Sequence, residues 1–267
     1  VFTSYSIYCL LYKFRDLKIG LVIVARTLNA FEKLKNIATL LSEKMKYKLN
    51  LDDDVLCISD PKLLEQLYQT IYANVADERG LGDKISANKD APPLPDQAKD
   101  VLNKFANFIF YFDDCTDIYC DTAFKPFFNK FPTTHRHARI TAIYNTHSFQ
   151  FMNQNLRQNI NNFAIAGLAS DRVVKLIHDS IHLVGVVFQK PARLSKLLFN
   201  KEKFFNNDKT ILVIREQTKS LPLRAVYHYC MDNEFVEKLI ALETTIKPTT
   251  QKQKNHFALF LARKDLI

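Results

Sequence analysis

Glycine is scarce in this chain, with five residues in 267. Loops that wrap a phosphate in backbone amides need glycine, and neither GxGxxG nor GxxxxGK[ST] occurs, which removes most nucleotide-dependent enzymes. Long apolar runs are also missing. Leu21 to Ala25 and Phe108 to Phe112 fall far short of the roughly 20 residues that span a bilayer, so no membrane-spanning helix is expected. Disulfide staples are not expected either: Cys9, Cys57, Cys115, Cys120 and Cys230 are odd in number and irregular in spacing, which fits a reducing compartment. No GxSxG and no HExxH sequence is present. The chain opens on Val1 rather than methionine, which leaves open both an upstream N-terminus and a removed signal.

What is present is ample apolar content, 47% hydrophobic, and an excess of cations, 37 Lys and Arg against 28 Asp and Glu. The first supports a packed core. The second, a formal charge of +9, favours an anionic partner such as nucleic acid or a membrane surface, against the plainer reading of a solubilising surface.

The residues Tyr5 to Phe14 and Lys18 to Arg26 are rich in β-branched and aromatic side chains around the break Arg15-Asp16, and predict a β-hairpin. From Asn29, the apolar positions Phe31, Leu34, Ile37, Ala38, Leu41 and Met45 recur at helical spacing. Val55 to Ile58 predicts a short strand, and Asp60-Pro61 opens a helix with Leu64, Leu67, Tyr68, Ile71 and Val75 on one face. Arg79 to Asp96 carries Gly80, Gly82, Pro92, Pro93 and Pro95 and is expected to be a loop or linker. Gln97 to Phe112 and Asn155 to Leu168 read as helical, Arg139 to Tyr144 as a strand. Further helices are expected from Asp171 and from Pro191, then strands at Ile211 to Arg215 and Leu223 to Tyr229, a helix from Asn233 to Leu242, and a last strand from His256 to Arg263. The expected organisation is therefore a first β-β-α unit with an added helix over 1–78, a linker over 79–96, a mainly helical insertion over 97–206, and a second β-β-α unit over 207–267.

Four constellations carry possible chemistry. Asp113, Asp114, Asp117 and Asp121 follow an apolar run, as the nucleophile does in haloacid dehalogenase phosphatases, but Cys115 stands where that family needs its second aspartate. The cluster still suits a hard cation held by oxygen, and with it a metal-dependent phosphatase or nuclease; the plainer reading is a solvated loop. Cys115 and Cys120 precede His135 and His137 at spacings on the edge of zinc-finger patterns, so they are candidate zinc ligands beside an expectation of no cofactor. His178 and His182 lie one helical turn apart, a ligand-like spacing, but no HExxH accompanies it and a packing role is the reading preferred. Basic residues interleaved with aromatics form the last group: Lys13, Phe14, Arg15 and Lys18 in the first hairpin, Arg215, Gln217, Lys219, Arg224 and Tyr227 in the last. Cations for phosphates and flat rings for bases describe a single-strand nucleic-acid surface; the alternative of equal weight is that half of these aromatics face the core, as period-two alternation demands.

ILVIREQTKSLPLRAV over Ile211 to Val226, followed by MDNEFVEKLIAL, resembles the PUR repeat of the purine-rich-element-binding proteins. IYCLLYKFRDLKIGLVI followed by NAFEKLKNI is similar more loosely. The family's hairpin glycine is missing from both copies. Through this repeat the chain resembles the PUR-alpha-like nucleocapsid proteins of baculoviruses. The resemblance implies an α+β fold of two β-β-α units sharing a twisted antiparallel sheet, interrupted by the helical insertion. It also implies a non-enzymatic structural protein of the virion nucleocapsid and host nucleus that binds single-stranded purine-rich nucleic acid and other nucleocapsid proteins. A pure protein-protein assembly subunit is the alternative within that class.

Overall fold

A strand that is apolar on both faces is stable only between two layers of helix, which is the usual setting of a parallel sheet. The computed structural model builds such a sheet from the first half of the chain. It describes residues 2–27, 29–45, 48, 50–80, 93–160, 162–166, 172, 176, 210–215 and 225–230. Helices and strands are mixed, and the chain divides into two units, Val1–Phe151 and Met152–Ile267. The first unit runs α1 (Phe2–Lys13), β1 (Ile19–Val24), α2 (Asn29–Met45), α3 (Leu51–Asp54), β2 (Val55–Ile58), α4 (Pro61–Glu78), α5 (Asp96–Lys104), β3 (Asn107–Phe112), α6 (Cys115–Cys120), α7 (Lys125–Thr134) and β4 (Ile140–Tyr144). The second contains α8 (Gln154–Gln158), β5 (Asn162–Ala166), β6 (Thr210–Arg215) and β7 (Ala225–Cys230).

The four strands of the first unit lie in the order β2-β1-β3-β4, all parallel, with Leu21 opposite Val55 and Ile109, and Ile109 opposite Thr141. Alternate residues face alternate layers. Leu21 and Ile23 of β1 and Ile109 and Tyr111 of β3 join Ile7 and Leu11 of α1 and Ala30 and Leu34 of α2 in one buried cluster. Phe110 and Phe112 point the other way. There Phe110 stacks on Phe131 of α7 at 5.6 Å, Phe112 meets Phe128 at 5.5 Å, and Tyr68 of α4 meets Phe131 edge-on at 5.2 Å. Each fully buried phenylalanine contributes on the order of 2 kcal/mol, so this aromatic layer holds α4 and α7 to the sheet. Gly20 leaves room for it: a Cβ there would stand 2.9 Å from the Phe108 ring.

Several expectations are corrected. Tyr5 to Phe14 is helix α1, not a strand, because Ile7 and Leu11 sit one turn apart and are buried together, so the first unit is not β-β-α and has no hairpin. The two units do not share a twisted antiparallel sheet; the first unit's sheet is parallel, and β5, β6 and β7 form a separate three-stranded antiparallel sheet. Within 97–206, the segment read as one helix from Gln97 is α5 followed by β3, and the segment read as helical from Asn155 is α8 followed by β5. A short apolar run between polar breaks fits a buried strand and a helix turn equally, and neighbouring strands made the choice here. Arg79 to Asp96 joins α4 to α5 inside the first unit; Leu94 is buried, and 81–92 lies outside the described residues.

Other expectations stand. Asn29–Met45, Val55–Ile58 and Pro61–Glu78 form as read, with the Asp60 side chain capping Lys62 N at 2.8 Å and Leu64, Leu67, Tyr68, Ile71 and Val75 buried. β6 and β7 pair as an antiparallel hairpin, Val213 opposite Tyr227. The helices expected from Asp171, Pro191 and Asn233 and the strand from His256 fall outside the described stretches, apart from Arg172 and Leu176, each in a helical position. Among the described residues no helix is long and apolar enough to cross a membrane.

His135 lies buried against this core, with its ring on Phe131 and Nδ1 at 2.8 Å from the Ile140 carbonyl oxygen. Burial holds its pKa below the ordinary histidine value, with the hydrogen bond to Ile140 opposing. The folded chain therefore binds fewer protons at this ring than the unfolded chain does, and the associated stability, full above the unfolded pKa, is lost as pH falls through the folded one. The thermal midpoint is expected to drop between about pH 7 and about pH 5, and His135→Gln to flatten that part of the profile.

Candidate functional site

In an open parallel sheet, ligands bind beyond the carboxyl ends of the strands, where two neighbouring strands send their connections in opposite directions. Here that place is the crevice between β1 and β3: β1 is followed by β2 on one side, while β3 lies on the other and leads to β4. The residues at its mouth are Ala25 and Arg26 after β1, Asp113 and Asp114 after β3, and Asn145 and Thr146 after β4. The backbone ladder continues into the rim. Asp113 N donates to Val24 O at 2.9 Å and Asn145 N to Phe112 O at 2.8 Å.

Asp113 is half-buried and held at one oxygen. Its Oδ1 accepts from the Tyr111 hydroxyl at 2.5 Å and from Asn145 Nδ2 at 2.8 Å. Tyr111 belongs to the buried cluster beneath α1 and α2, so the core itself aims the carboxylate. Oδ2 has no hydrogen-bond partner among the described residues and is available to a cation or a water. Asp114 is exposed and adopts φ +42°, a left-handed conformation that disfavours residues bearing a Cβ. Such strain is common where a side chain is held out for a task.

Two polar groups close the rim. The Thr116 and Thr146 hydroxyls lie 3.3 Å apart, and Thr146 Oγ1 accepts from Ser148 N at 3.1 Å. Across the crevice Arg26 pairs with Asp121, its guanidinium 5.4 Å over the Phe124 ring. The amide of Ala123 first, and then Arg26, hold the Asp121 carboxyl below the usual carboxylate range.

The acidic cluster read from the sequence is thus split by role: Asp113 and Asp114 lie at the crevice, Asp121 pairs with Arg26, and Asp117 lies within α6. Tyr111 and Asn145 were not expected. Their only signal was an apolar run ending in a carboxylate, which identifies neither.

Of the expected zinc ligands, Cys115 and Cys120 stand at the two ends of α6, where Cys120 is exposed. His135 directs Nδ1 to a backbone oxygen and His137 is exposed. Among the described residues no group of three or more His, Cys, Asp or Glu gathers as metal ligands. His178 and His182 lie outside the described residues.

The structure brings the first basic group together, on a helix end rather than a hairpin. Lys13 closes α1, and Phe14, Arg15 and Lys18 make the exposed corner that leads to β1. Lys13 Nζ lies 5.4 Å over the Phe14 ring, and Arg15 lies 5.0 Å over the Tyr12 ring. Phe14 is 38% exposed and Leu17 54%. Beside them is a cavity of about 130 Å³ lined by Arg15, Lys18, Asp54 and Phe105, too small for a drug-sized ligand. This corner and the Asp113 rim sit at opposite ends of β1, about 20 Å apart by strand rise. In the second unit Arg215 ends β6 and Tyr227 lies in β7, while Gln217, Lys219 and Arg224 lie outside the described residues.

No family model matches this chain, and no curated protein matches it. Among solved structures, the cytoplasmic domain of the Thermomonospora curvata type VII secretion ATPase EccC is similar over 88% of this chain and 28% of that one, at 11% identity and a TM-score of 0.36. A likeness of that size carries no argument.

The strain at Asp114 is testable. Asp114→Gly relieves the left-handed φ and is expected to raise stability by roughly 1 kcal/mol, read as a higher denaturant midpoint, whereas Asp114→Ala keeps the strained φ and brings no such gain.

Proposed function

We propose that this chain carries a magnesium-dependent phosphohydrolase centre that acts on a nucleoside triphosphate, in a protein that also contacts nucleic acid. The observation that carries the first part is Asp113, placed at the carboxyl end of β3 beside the β1–β3 crevice and fixed through one oxygen by Tyr111 and Asn145. Magnesium keeps several waters and takes only one or two carboxylates, the remaining ligands coming from substrate phosphates. One fixed carboxylate therefore fits this ion when substrate phosphates supply further ligands. When bound, the ion neutralises charge on the transferring phosphoryl group. Asp113 would hold it through Oδ2. Asp114, exposed one residue further on, is placed to accept a hydrogen bond from the attacking water and orient it.

The nucleic-acid part rests on the exposed corner of Lys13, Phe14, Arg15 and Lys18, where cations and an accessible ring lie together, and on the excess of positive charge. Cations there would meet phosphates and Phe14 would stack on a base. The nucleocapsid setting, with other capsid proteins as partners, is supported by the PUR-like lettering of the β6–β7 hairpin alone, since its first copy lies on α1 and β1.

Asp113→Asn is expected to lower magnesium-dependent release of phosphate from a nucleoside triphosphate by on the order of a hundredfold or more, with the thermal midpoint near that of the wild type. Equal rates in the two proteins would sink the assignment.

For the basic corner, affinity for a single-stranded purine-rich oligonucleotide is measured against salt. Replacing Lys13, Arg15 and Lys18 by alanine is expected to flatten the slope of log K against log salt by about 2, at roughly 0.7 per phosphate contact. Phe14→Ala is expected to weaken binding at every salt concentration with the slope unchanged. An unaltered slope in the triple variant removes the corner from the interface.

A further inference from the structure

A site for a polyphosphate needs positive charge beside the cation, and no glycine-rich phosphate loop occurs in this sequence. Among the described residues that follow β1, β3 and β4 at the rim, Arg26 carries a guanidinium. It follows β1 by two residues, and Val24, which ends β1, accepts the Asp113 amide, so the arginine and the clamped carboxylate rise from neighbouring strands. Its side chain is 45% exposed and engaged with Asp121, which is itself 29% exposed and already accepts from Ala123 N at 2.9 Å. Phe124 lies beneath the guanidinium.

Two features separate this pair from an ordinary surface bridge. Asp121 accepts from the Ala123 amide through Oδ1 and meets Arg26 through Oδ2, so releasing the arginine would leave it with a partner. The guanidinium also rests on an aromatic face, which steadies its plane without occupying its donors. An exposed ion pair is weak, whereas a guanidinium meeting a phosphate bidentately makes stronger, charge-assisted hydrogen bonds. A phosphate entering the crevice can therefore take Arg26 from Asp121.

We propose that Arg26 is the phosphate-binding cation of this site and that Asp121 holds it in reserve until the anion arrives, an inference that rests on the reading of Asp113 and Asp114 given above. Asp121 then acts as a competitor inside the protein. Its pairing lowers the fraction of molecules with Arg26 ready, and apparent affinity falls by that fraction.

The test is the binding of a fluorescent, non-hydrolysable nucleoside triphosphate analogue with magnesium, followed by anisotropy, with circular dichroism melts to confirm that each variant is folded. Arg26→Ala is expected to bind about tenfold more weakly, Arg26→Lys to fall between it and the wild type, and Asp121→Asn to bind a few-fold more tightly. A bridge with a purely structural role would move Arg26→Ala and Asp121→Asn in the same direction; that outcome, or an unchanged affinity in Arg26→Ala, overturns the proposal. Should Arg26→Ala not fold, Arg26→Lys against Asp121→Asn carries the comparison of signs. Asp113→Asn separates the two levels: if it binds the magnesium complex as the wild type does, the reading of Asp113 fails and the role of Arg26 falls with it.

Discussion

The first unit depends on β3 having to satisfy two apolar layers at once. Its side chains alternate, so Ile109 and Tyr111 seal the layer of α1 and α2 while Phe110 and Phe112 enter the aromatic layer of α4 and α7. A shift of register by one residue would exchange every one of these contacts. The same demand fixes the chemistry at the end of the strand. Tyr111 is held by the core, its hydroxyl reaches the rim, and Asp113 is hydrogen-bonded to it. The carboxylate is thereby positioned by packing, which is stiffer than a loop.

Charge and conformational strain are placed at the strand ends rather than along them. The basic corner of Lys13, Arg15 and Lys18 precedes β1, and the acidic rim of Asp113 and Asp114 follows β3. One end of the sheet thus favours anions directly and the other favours a cation. Among the described residues, the three non-glycine positions with positive φ are Lys18, Asp114 and Arg139. They stand just before β1, just after β3 and just before β4. Where glycine is scarce, ordinary residues must take the left-handed turns that bring a chain into or out of a sheet, and the surrounding packing has to offset their strain. At Asp114 that strain coincides with an exposed carboxylate at the crevice, and at Lys18 with a cation on the exposed corner.

The crevice also shows how a weak contact becomes useful. Arg26 and Asp121 are partly solvated, so their pairing adds little to stability. On the proposed reading, its value would lie in keeping a guanidinium near the strand ends without committing it, since Asp121 also accepts from the Ala123 amide. Asp113 is treated in the opposite way: two donors close one oxygen and leave the other open. Under the proposed reading, rigid placement of the carboxylate and weaker placement of the arginine would suit an ion that sits in one place and a phosphate that enters and leaves.

Local rules were enough for the elements whose pattern admits one reading. The α4 stripe of Leu64, Leu67, Tyr68, Ile71 and Val75, its Asp60-Pro61 start, and the strands Val55–Ile58, Ile140–Tyr144 and Thr210–Arg215 were all legible, because period and capping chemistry are properties of neighbouring residues. The acidic end of β3 was legible as a cluster. Tertiary structure alone decided that Tyr5 to Phe14 is a helix, that Asn107–Phe112 leaves helix α5 and becomes a strand, and that the first sheet is parallel. Aromatic and β-branched runs satisfy either secondary structure, and only the partners across the sheet select one. It also decided which aspartate is clamped, since Tyr111 on β3 and Asn145 after β4 meet at Asp113. No spacing along the chain encodes that meeting; it follows from strand order and register.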